Sequence, residues 1–288
     1  MIETLDPAKR KKYLIAAGSL ILIVVAIFFL FVYQVGPKKI KSQETANEVR
    51  QLSEITLNMR PFVTLTPTSD GAEIIISIEN MKNFDKIEYE LTYMADNPQI
   101  NGEKIERGST GTDVNTKDEK YKKSILLGTA SRGVRNSDKS VADGKLTLHL
   151  TKGDVEYLSE TNWDLIQSGA KSQQIADRSN KFSIDLPSLS KDYWIILADT
   201  VGLPPQNTDF KKEEVVLPVY GSFSVAPKFA RSAQITIKVE GKLTDPQLYA
   251  YNQQDASWQK LEINFDSAAN SIGTKVDSFT TFAIISSK

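Results

Sequence analysis

Residues 85–94 read DKIEYELTYM, and this stretch indicates the fold class more clearly than any other. Its positions 87, 89, 91 and 93 are apolar (Ile, Tyr, Leu, Tyr), and positions 88, 90 and 92 are polar (Glu, Glu, Thr). Successive side chains of a β-strand point to opposite faces of a sheet. The alternation with a period of two therefore predicts a strand with one buried face.

The same alternation recurs along the chain, most clearly at 144–151 and 233–239. Because no helical pattern of 10–15 residues separates these segments, the sequence favours antiparallel β-sandwiches over an α/β fold. Two polar, glycine-containing stretches, 97–123 and 131–143, are predicted to be loops. Further strands are predicted at 62–65, 72–78, 124–129, 163–168, 182–186, 192–198, 214–220, 221–225, 247–251, 258–263 and 280–285.

A change of composition at residues 201–209 predicts a boundary between two domains. The segment contains Pro204-Pro205 and interrupts the alternating strands, as linkers do. We therefore predict a first Ig-like β-sandwich domain at 59–203 and a second, smaller one at 210–288. The fold class predicted for the whole chain is mainly β.

An uncharged run near the N-terminus predicts a transmembrane helix at 13–35. Residues 14–32 are apolar apart from Gly18 and Ser19. About 20 such residues span the hydrocarbon layer of a bilayer, and Tyr13 and Tyr33 bracket the run at headgroup level. A cleaved signal peptide is the competing interpretation, but its apolar core would be shorter and would end at small residues.

The flanking charges predict the orientation of this helix. Four basic residues, 9–12, precede it, and three, Lys38, Lys39 and Lys41, follow it. The positive-inside rule then favours a cytoplasmic tail at 1–12 and an extracytoplasmic C-terminal region. Residues 36–58 are predicted to be a helical stalk, because Ala46, Val49, Leu52 and Ile55 form one stripe within 43–55. The alternative use of that stripe, a coiled coil between two copies, needs more heptads than the segment has.

Composition excludes several classes of function. The net charge is −1, so the chain has no basic excess with which to bind a nucleic-acid backbone. The chain has no cysteine, which excludes disulfides, thiolate nucleophiles and cysteine-type zinc sites. It has one histidine, His149, which excludes any site that needs two imidazoles.

Candidate site residues are few, and each has a plain structural alternative. His149 is a conceivable general base, but it lies on the outer face of a Leu-rich strand and lacks a nucleophile motif, so we predict an exposed strand residue. Two loops carry oxygen donors of the kind that Ca²⁺ uses, without EF-hand spacing. Their donors are Asn136, Ser137, Asp138, Asp143 and Gly144 in one loop and Asp113, Asp118 and Glu119 in the other.

Six aromatic residues at positions that look exposed in the sequence are candidates for a sugar- or peptide-binding face. The alternative is that they are buried cross-strand partners. They are Tyr93, Tyr157, Trp163, Tyr249, Tyr251 and Trp258. The sequence assigns no catalytic residue, no cofactor and no metal.

Two groups of motifs resemble known proteins. LYAY (248–251), WQKL (258–261) and VDSFTTFA (276–283) resemble the closing half of a β-sandwich module of bacterial and archaeal surface proteins. YELTY (89–93), LLGT (126–129) and GKLTL (144–148) look like single-pass envelope proteins of small-genome bacteria. Those proteins carry cysteines where this chain has Ala130 and Arg135, so a loop disulfide is out of reach here. The resemblance implies a location and a fold, and no reaction.

These observations predict a non-enzymatic, membrane-anchored extracytoplasmic protein of the cell envelope. Its partners would be the membrane, through one span, and an envelope protein or a glycan; nucleic acid is excluded, and the sequence leaves the oligomeric state open. The alternative is an accessory subunit of an envelope machine such as a secretion or pilus system. A third interpretation, an exported hydrolase, lacks a catalytic motif to support it.

Overall fold

The computed structural model describes residues 48–205 and 208–287. Strands account for 56% of the described residues and helices for 4%, so the predicted mainly β class is confirmed. The strands in chain order are β1 Glu48–Gln51, β2 Phe62–Pro67, β3 Glu73–Glu79, β4 Lys86–Asp96, β5 Lys104–Gly111, β6 Lys120–Leu126, β7 Gly128–Ser131, β8 Val134–Ser137, β9 Ala142–Lys152, β10 Val155–Ser168, β11 Gln173–Ala176, β12 Phe182–Leu186, β13 Tyr193–Thr200, β14 Val215–Phe223, β15 Ala233–Lys238, β16 Gln247–Asn252, β17 Ser257–Leu261, β18 Asn264–Asp266, β19 Ser271–Val276 and β20 Thr281–Ile285. The helices are single 3₁₀ turns at Leu52–Glu54, Leu57–Met59 and Lys212–Glu214.

The strands form four sheets. The largest has ten strands in the order β17-β16-β20-β14-β13-β10-β9-β4-β5, with β1 attached to β10. A five-stranded sheet has the order β11-β12-β15-β19-β18, a three-stranded sheet has the order β2-β3-β6, and β7 pairs with β8. The β1–β10 pair is parallel, and the other described pairs are antiparallel.

Strand β4 contains the stretch that decided the fold class, and it lies beside β9 in the largest sheet. Tyr89 is opposite Leu148, and Leu91 is opposite Leu146. All four side chains are buried, whereas Glu90 between them is exposed. The apolar alternation of each strand thus supplies one side of the same core.

One hydrophobic core joins the three-stranded sheet to the β4, β9 and β10 part of the largest sheet. Trp163 is fully buried there. A Cβ at Gly144 would lie 2.2 Å from its ring, so the indole occupies the space that a larger residue would need.

A second core joins the five-stranded sheet to the C-terminal strands of the largest sheet. Phe182 of β12 packs against Phe282 of β20, with ring centroids 5.8 Å apart. A third, smaller core contains Tyr249, Trp258 and Phe210.

Strand pairing continues across the boundary predicted at 201–209. β13, before it, pairs with β14, after it, and β12 pairs with β15. Residues 48–287 accordingly lie within one compact unit, Asn47–Lys288. Whether the segments 59–203 and 210–288 fold separately stays a prediction, which a mutation in the second core tests below.

The helix predicted at 43–55 is wrong for its described part. Residues 48–51 are a strand parallel to β10, and Leu52–Glu54 is a single 3₁₀ turn. Of the predicted stripe, Leu52 is buried and Val49 is 57% exposed, so these residues do not share one buried face. Residues 43–47 lie outside the described residues.

Buried side chains fasten the segment that follows β1. Arg60 donates to the carbonyls of Ile55 (2.8 Å) and Ser53 (3.0 Å), and burial lowers the pKa of its guanidinium. Asn80 donates to the carbonyl of Arg60 (2.7 Å). These bonds satisfy carbonyls that the irregular backbone leaves without strand partners.

The predicted tail 1–12 and transmembrane helix 13–35 lie outside the described residues. Within 48–205 and 208–287, no helix has the length and apolar character needed to cross a membrane.

Both predicted loops contain strands. β5 and the first residues of β6 lie within 97–123, and β8 lies within 131–143. β5 is an edge strand whose side chains are mostly exposed, and Ile105 is its one large aliphatic residue. The loop predictions were wrong there because an exposed edge strand needs no apolar alternation.

Candidate functional site

His149 lies in β9 and forms a hydrogen bond with a neighbouring strand. Its Nδ1 is 2.7 Å from Oε1 of Glu156 in β10, and 39% of its side chain is exposed. It projects from the face opposite the buried Leu148 and Leu150, as predicted. The contact with Glu156 gives the imidazole a structural partner on the sheet surface.

The six candidate aromatics do not form a binding face. Five of them are buried, with exposures of 7% or less, and Tyr157 packs edge-on against Phe84. Trp163 packs against Tyr93 with ring centroids 6.2 Å apart, and Trp258 packs against Tyr251 at 5.3 Å. The alternative interpretation, burial, describes five of the six rings, and Tyr251 and Trp258 are direct cross-strand partners.

The two oxygen-rich loops use their carboxylates for internal contacts. Asp138 accepts the Tyr93 hydroxyl (2.8 Å) and lies 3.6 Å from Nε of Arg107. Asp113 accepts from Tyr121 (2.9 Å) and pairs with Lys123. Across the described part of the chain, no group of three or more His, Asp or Glu side chains is placed to hold a metal ion.

A polar cleft of about 440 Å³ lies in the C-terminal part of the chain. Three separate segments line it: 224–232, which connects β14 to β15; 250–261, which covers β16, β17 and their turn; and 275–280, which connects β19 to β20. We call this site the C-terminal cleft. Its volume lies within the range of small-ligand sites, about 300–1,000 Å³.

Contacts between the three segments hold the walls of the cleft in place. The backbone N–H of Phe229 donates to the Asp277 carbonyl (2.7 Å), and the rings of Phe229 and Phe279 pack edge-on at 4.8 Å. The Thr280 hydroxyl donates to the Tyr251 carbonyl. The cleft is therefore bounded by backbone and rings that are already engaged in the fold.

The turn at the end of β16 is also fixed. Oδ1 of Asn252 accepts from the backbone N–H groups of Gln254 (2.9 Å) and Asp255 (3.4 Å), a local arrangement typical of Asx turns. The turn directs residues 253 and 254 to the rim of the cleft, where both are exposed.

Four exposed side chains of the lining are available to a ligand. Gln253, Gln254, Gln259 and Lys275 make no side-chain hydrogen bond or ion pair with any residue in 48–205 or 208–287. A carboxamide donates and accepts hydrogen bonds, and an ammonium donates three. The lining thus offers free donors and acceptors above a fixed frame.

A carboxyl group with a strongly shifted pKa lies elsewhere, on β13 opposite β14. Partial burial beside Tyr220 raises the pKa of Asp199 to about 6, and the nearby charge of Asp177 adds to the rise. Lys181 opposes it, but its ammonium binds Glu240 at 2.6 Å. The shifted pKa couples the protonation of this carboxyl group to the stability of the fold.

Sequence reasoning missed the C-terminal cleft. Its free amides come from a turn and an exposed strand position, which look like ordinary solvated residues in a sequence. The one available signal was the run of amides at 252–254 between two strands, which identifies a turn but not a cavity.

Comparison with known proteins assigns no family to this arrangement. No protein-family model matches the sequence, and no curated protein is significantly similar to it.

Proposed function

We propose that the chain is a membrane-anchored, extracytoplasmic protein of the cell envelope, with a β-structured region that binds a partner or serves as a structural element and catalyses no reaction. In this proposal the β-structured region is organised as two sandwiches. The observation that carries it is the uncharged segment 14–32, which is long enough to span a bilayer and precedes a region built almost wholly of strands.

The distribution of polar groups supports a contact role. Carboxylates that would be candidates for acid–base chemistry, such as Asp138 and Asp113, are engaged with Arg, Lys or Tyr side chains. Gln253, Gln254, Gln259 and Lys275 in the lining of the C-terminal cleft are exposed. A protein that presents a preformed polar cleft from a rigid β-framework is suited to binding.

The topology is testable by single-cysteine labelling, because the natural chain contains no cysteine. Val225 is 47% exposed in the C-terminal part of the structure, and Glu3 lies in the predicted cytoplasmic tail. We expect a membrane-impermeant maleimide to label Val225→Cys in intact cells and to label Glu3→Cys only after permeabilisation. The cysteine-free parent protein is the control for non-specific labelling.

The reverse pattern, or labelling of both positions only after lysis, would overturn the extracytoplasmic placement. The accessory-subunit alternative predicts a different behaviour on gentle solubilisation. In that case native electrophoresis would show the chain in a complex of fixed stoichiometry with other envelope proteins, whereas a binding or spacer protein would migrate as a single species.

A further inference from the structure

We propose that the C-terminal cleft is a binding site for an acidic oligosaccharide, with the amides of Gln253, Gln254 and Gln259 contacting its hydroxyls and Lys275 contacting its carboxylate. This inference deepens the proposed function by naming a site and a class of ligand. It rests on a binding role, but it does not depend on the orientation of the membrane segment.

The preformed frame is the first argument. Segments 224–232 and 275–280 are joined by a backbone hydrogen bond and by the Phe229–Phe279 ring contact. Thr280 is joined to β16 through Tyr251 and to β14 through Ser222, whose Oγ accepts from the Thr280 N–H at 3.2 Å. A ligand would therefore meet walls that need little ordering, which lowers the entropic cost of binding.

The chemistry of the lining is the second argument. Small-molecule sites are usually lined mostly by apolar side chains. This one presents carboxamides, hydroxyls and an ammonium, and its aromatic rings are engaged elsewhere: Phe279 with Phe229, and Tyr251 with Phe62 and Trp258. A ligand that matches such a lining must bring many hydroxyl groups and little apolar surface, and an oligosaccharide has this character. A peptide anchored by apolar side chains does not.

The charge balance of the lining is the third argument. Its charged residues are Lys228, Lys275 and Asp277. Lys228 lies 3.5 Å from Asp277, whereas the ammonium of Lys275 has no charged partner within 48–205 or 208–287. A carboxylate on the ligand would satisfy that charge with a charge-assisted hydrogen bond.

Isothermal titration calorimetry with the full-length protein in detergent tests the site. The probes are a hexasaccharide of alternating uronic acid and N-acetylhexosamine, a neutral N-acetylglucosamine hexasaccharide, and an apolar-rich peptide of similar mass. We expect the acidic hexasaccharide to bind, and the neutral one to bind more weakly by about tenfold or more, equivalent to about 1.4 kcal/mol. The peptide should not bind.

Two variants place the binding in the cleft. Lys275→Gln should weaken the acidic hexasaccharide to the level of the neutral one, and Gln259→Ala should weaken both probes. Lys260→Gln is the matched control, because Lys260 is an exposed lysine of β17 that does not line the cleft. Lys275 and Gln259 are both exposed, so the thermal unfolding curve of each variant should coincide with that of the parent.

Absence of binding by both hexasaccharides overturns the proposal, as does binding that Lys275→Gln and Gln259→Ala leave unchanged. Binding of the peptide in preference to the sugars also overturns it, in favour of a protein partner. A failed titration would leave the cysteine-labelling result standing, and a reversed labelling pattern would leave a successful titration standing, so the two proposals fail separately.

Discussion

At the scale of single residues, Asp199 shows how burial couples the stability of this fold to pH. Its carboxyl group lies beside Tyr220, with Asp177 adding a second negative charge. The same carboxylate and the burial of the phenol raise the pKa of Tyr220. Ionising Asp199 in the folded chain therefore costs more than ionising it in water.

The sign of the pH dependence follows from that pKa. In the unfolded chain Asp199 loses its proton near pH 4, as an aspartate in a short peptide does, whereas in the folded chain it retains the proton until about pH 6. The free energy of unfolding should therefore fall as the pH rises between these values and stay lower above them. The difference of roughly two pKa units corresponds to about 3 kcal/mol at most.

We expect Asp199→Asn to remove this dependence. The variant should be more stable than the parent above pH 6, and its free energy of unfolding should be flatter between pH 4 and pH 6, as measured by urea unfolding followed by tryptophan fluorescence. Asp154→Asn, at an exposed hairpin turn, is the matched control. Parallel pH profiles for the parent and Asp199→Asn would show that Asp199 is not the responsible group.

At the scale of elements, the β7–β8 hairpin offers a direct test of strand register. Ala130 of β7 lies opposite Arg135 of β8. Directly opposed residues of an antiparallel pair have Cα atoms about 4.5–5.5 Å apart, within the range that a disulfide spans. The hairpin is also held to the three-stranded sheet, because Arg135 pairs with Glu73 of β3.

The double variant Ala130→Cys, Arg135→Cys should therefore form an intramolecular disulfide on mild oxidation, measured as loss of two titratable thiols. Since the parent chain contains no cysteine, the thiol count has no background. Ala130→Cys combined with Asn136→Cys is the control, because Asn136 lies opposite Thr129 and projects to the other face. Equal oxidation of both double variants would mean that the register is wrong.

Elements also differ in how far the sequence predicts them. β3, β4, β9, β13 and β15 were predicted because each buries one face or both, and burial imposes an apolar pattern. β5 has no such constraint, since it lies at the edge of the largest sheet. β18 and β19 were not among the predicted strands, although Ile272 of β19 is fully buried.

The candidate site was less predictable than the strands. An alternating pattern allows aromatic side chains such as Trp163 to be either buried or part of an exposed binding face. Which of the two holds depends on where another sheet packs, and the sequence does not show this. The C-terminal cleft is assembled from segments that are distant along the chain, 224–232 and 275–280 among them. Periodicity reports which side chains are buried locally and carries no information about such juxtapositions.

At the scale of the whole molecule, the second core contains residues from both sides of the predicted boundary at 201–209. Phe282 is 1% exposed and packs against Phe182, which itself contacts Tyr220 at 5.3 Å. β12, which carries Phe182, pairs with β15. If these strands unfold together, the two segments share one cooperative transition.

We expect Phe282→Ala to lower the free energy of unfolding by roughly 3–5 kcal/mol, and a single calorimetric transition that shifts as a whole would show that the two segments unfold together. Val225→Ala, at a position 47% exposed, is the control and should change stability little. Two transitions, of which Phe282→Ala moves one, would instead show that 59–203 and 210–288 unfold as separate domains.

Strand β1 has a mechanical consequence for a chain that is held at its N-terminal side. Four residue pairs hold β1 to β10, and all four side chains of β1 are exposed. Tension on residue 48 would therefore detach β1 before it breaks contacts of the buried strands. Its release would free about 13 Å of extended chain. The next contacts to break are the hydrogen bonds from Arg60 to the carbonyls of Ser53 and Ile55. Under tension the chain would therefore unfold in steps from its N-terminal side, first β1 and then the segment bound by Arg60. The C-terminal cleft would keep its shape during these steps.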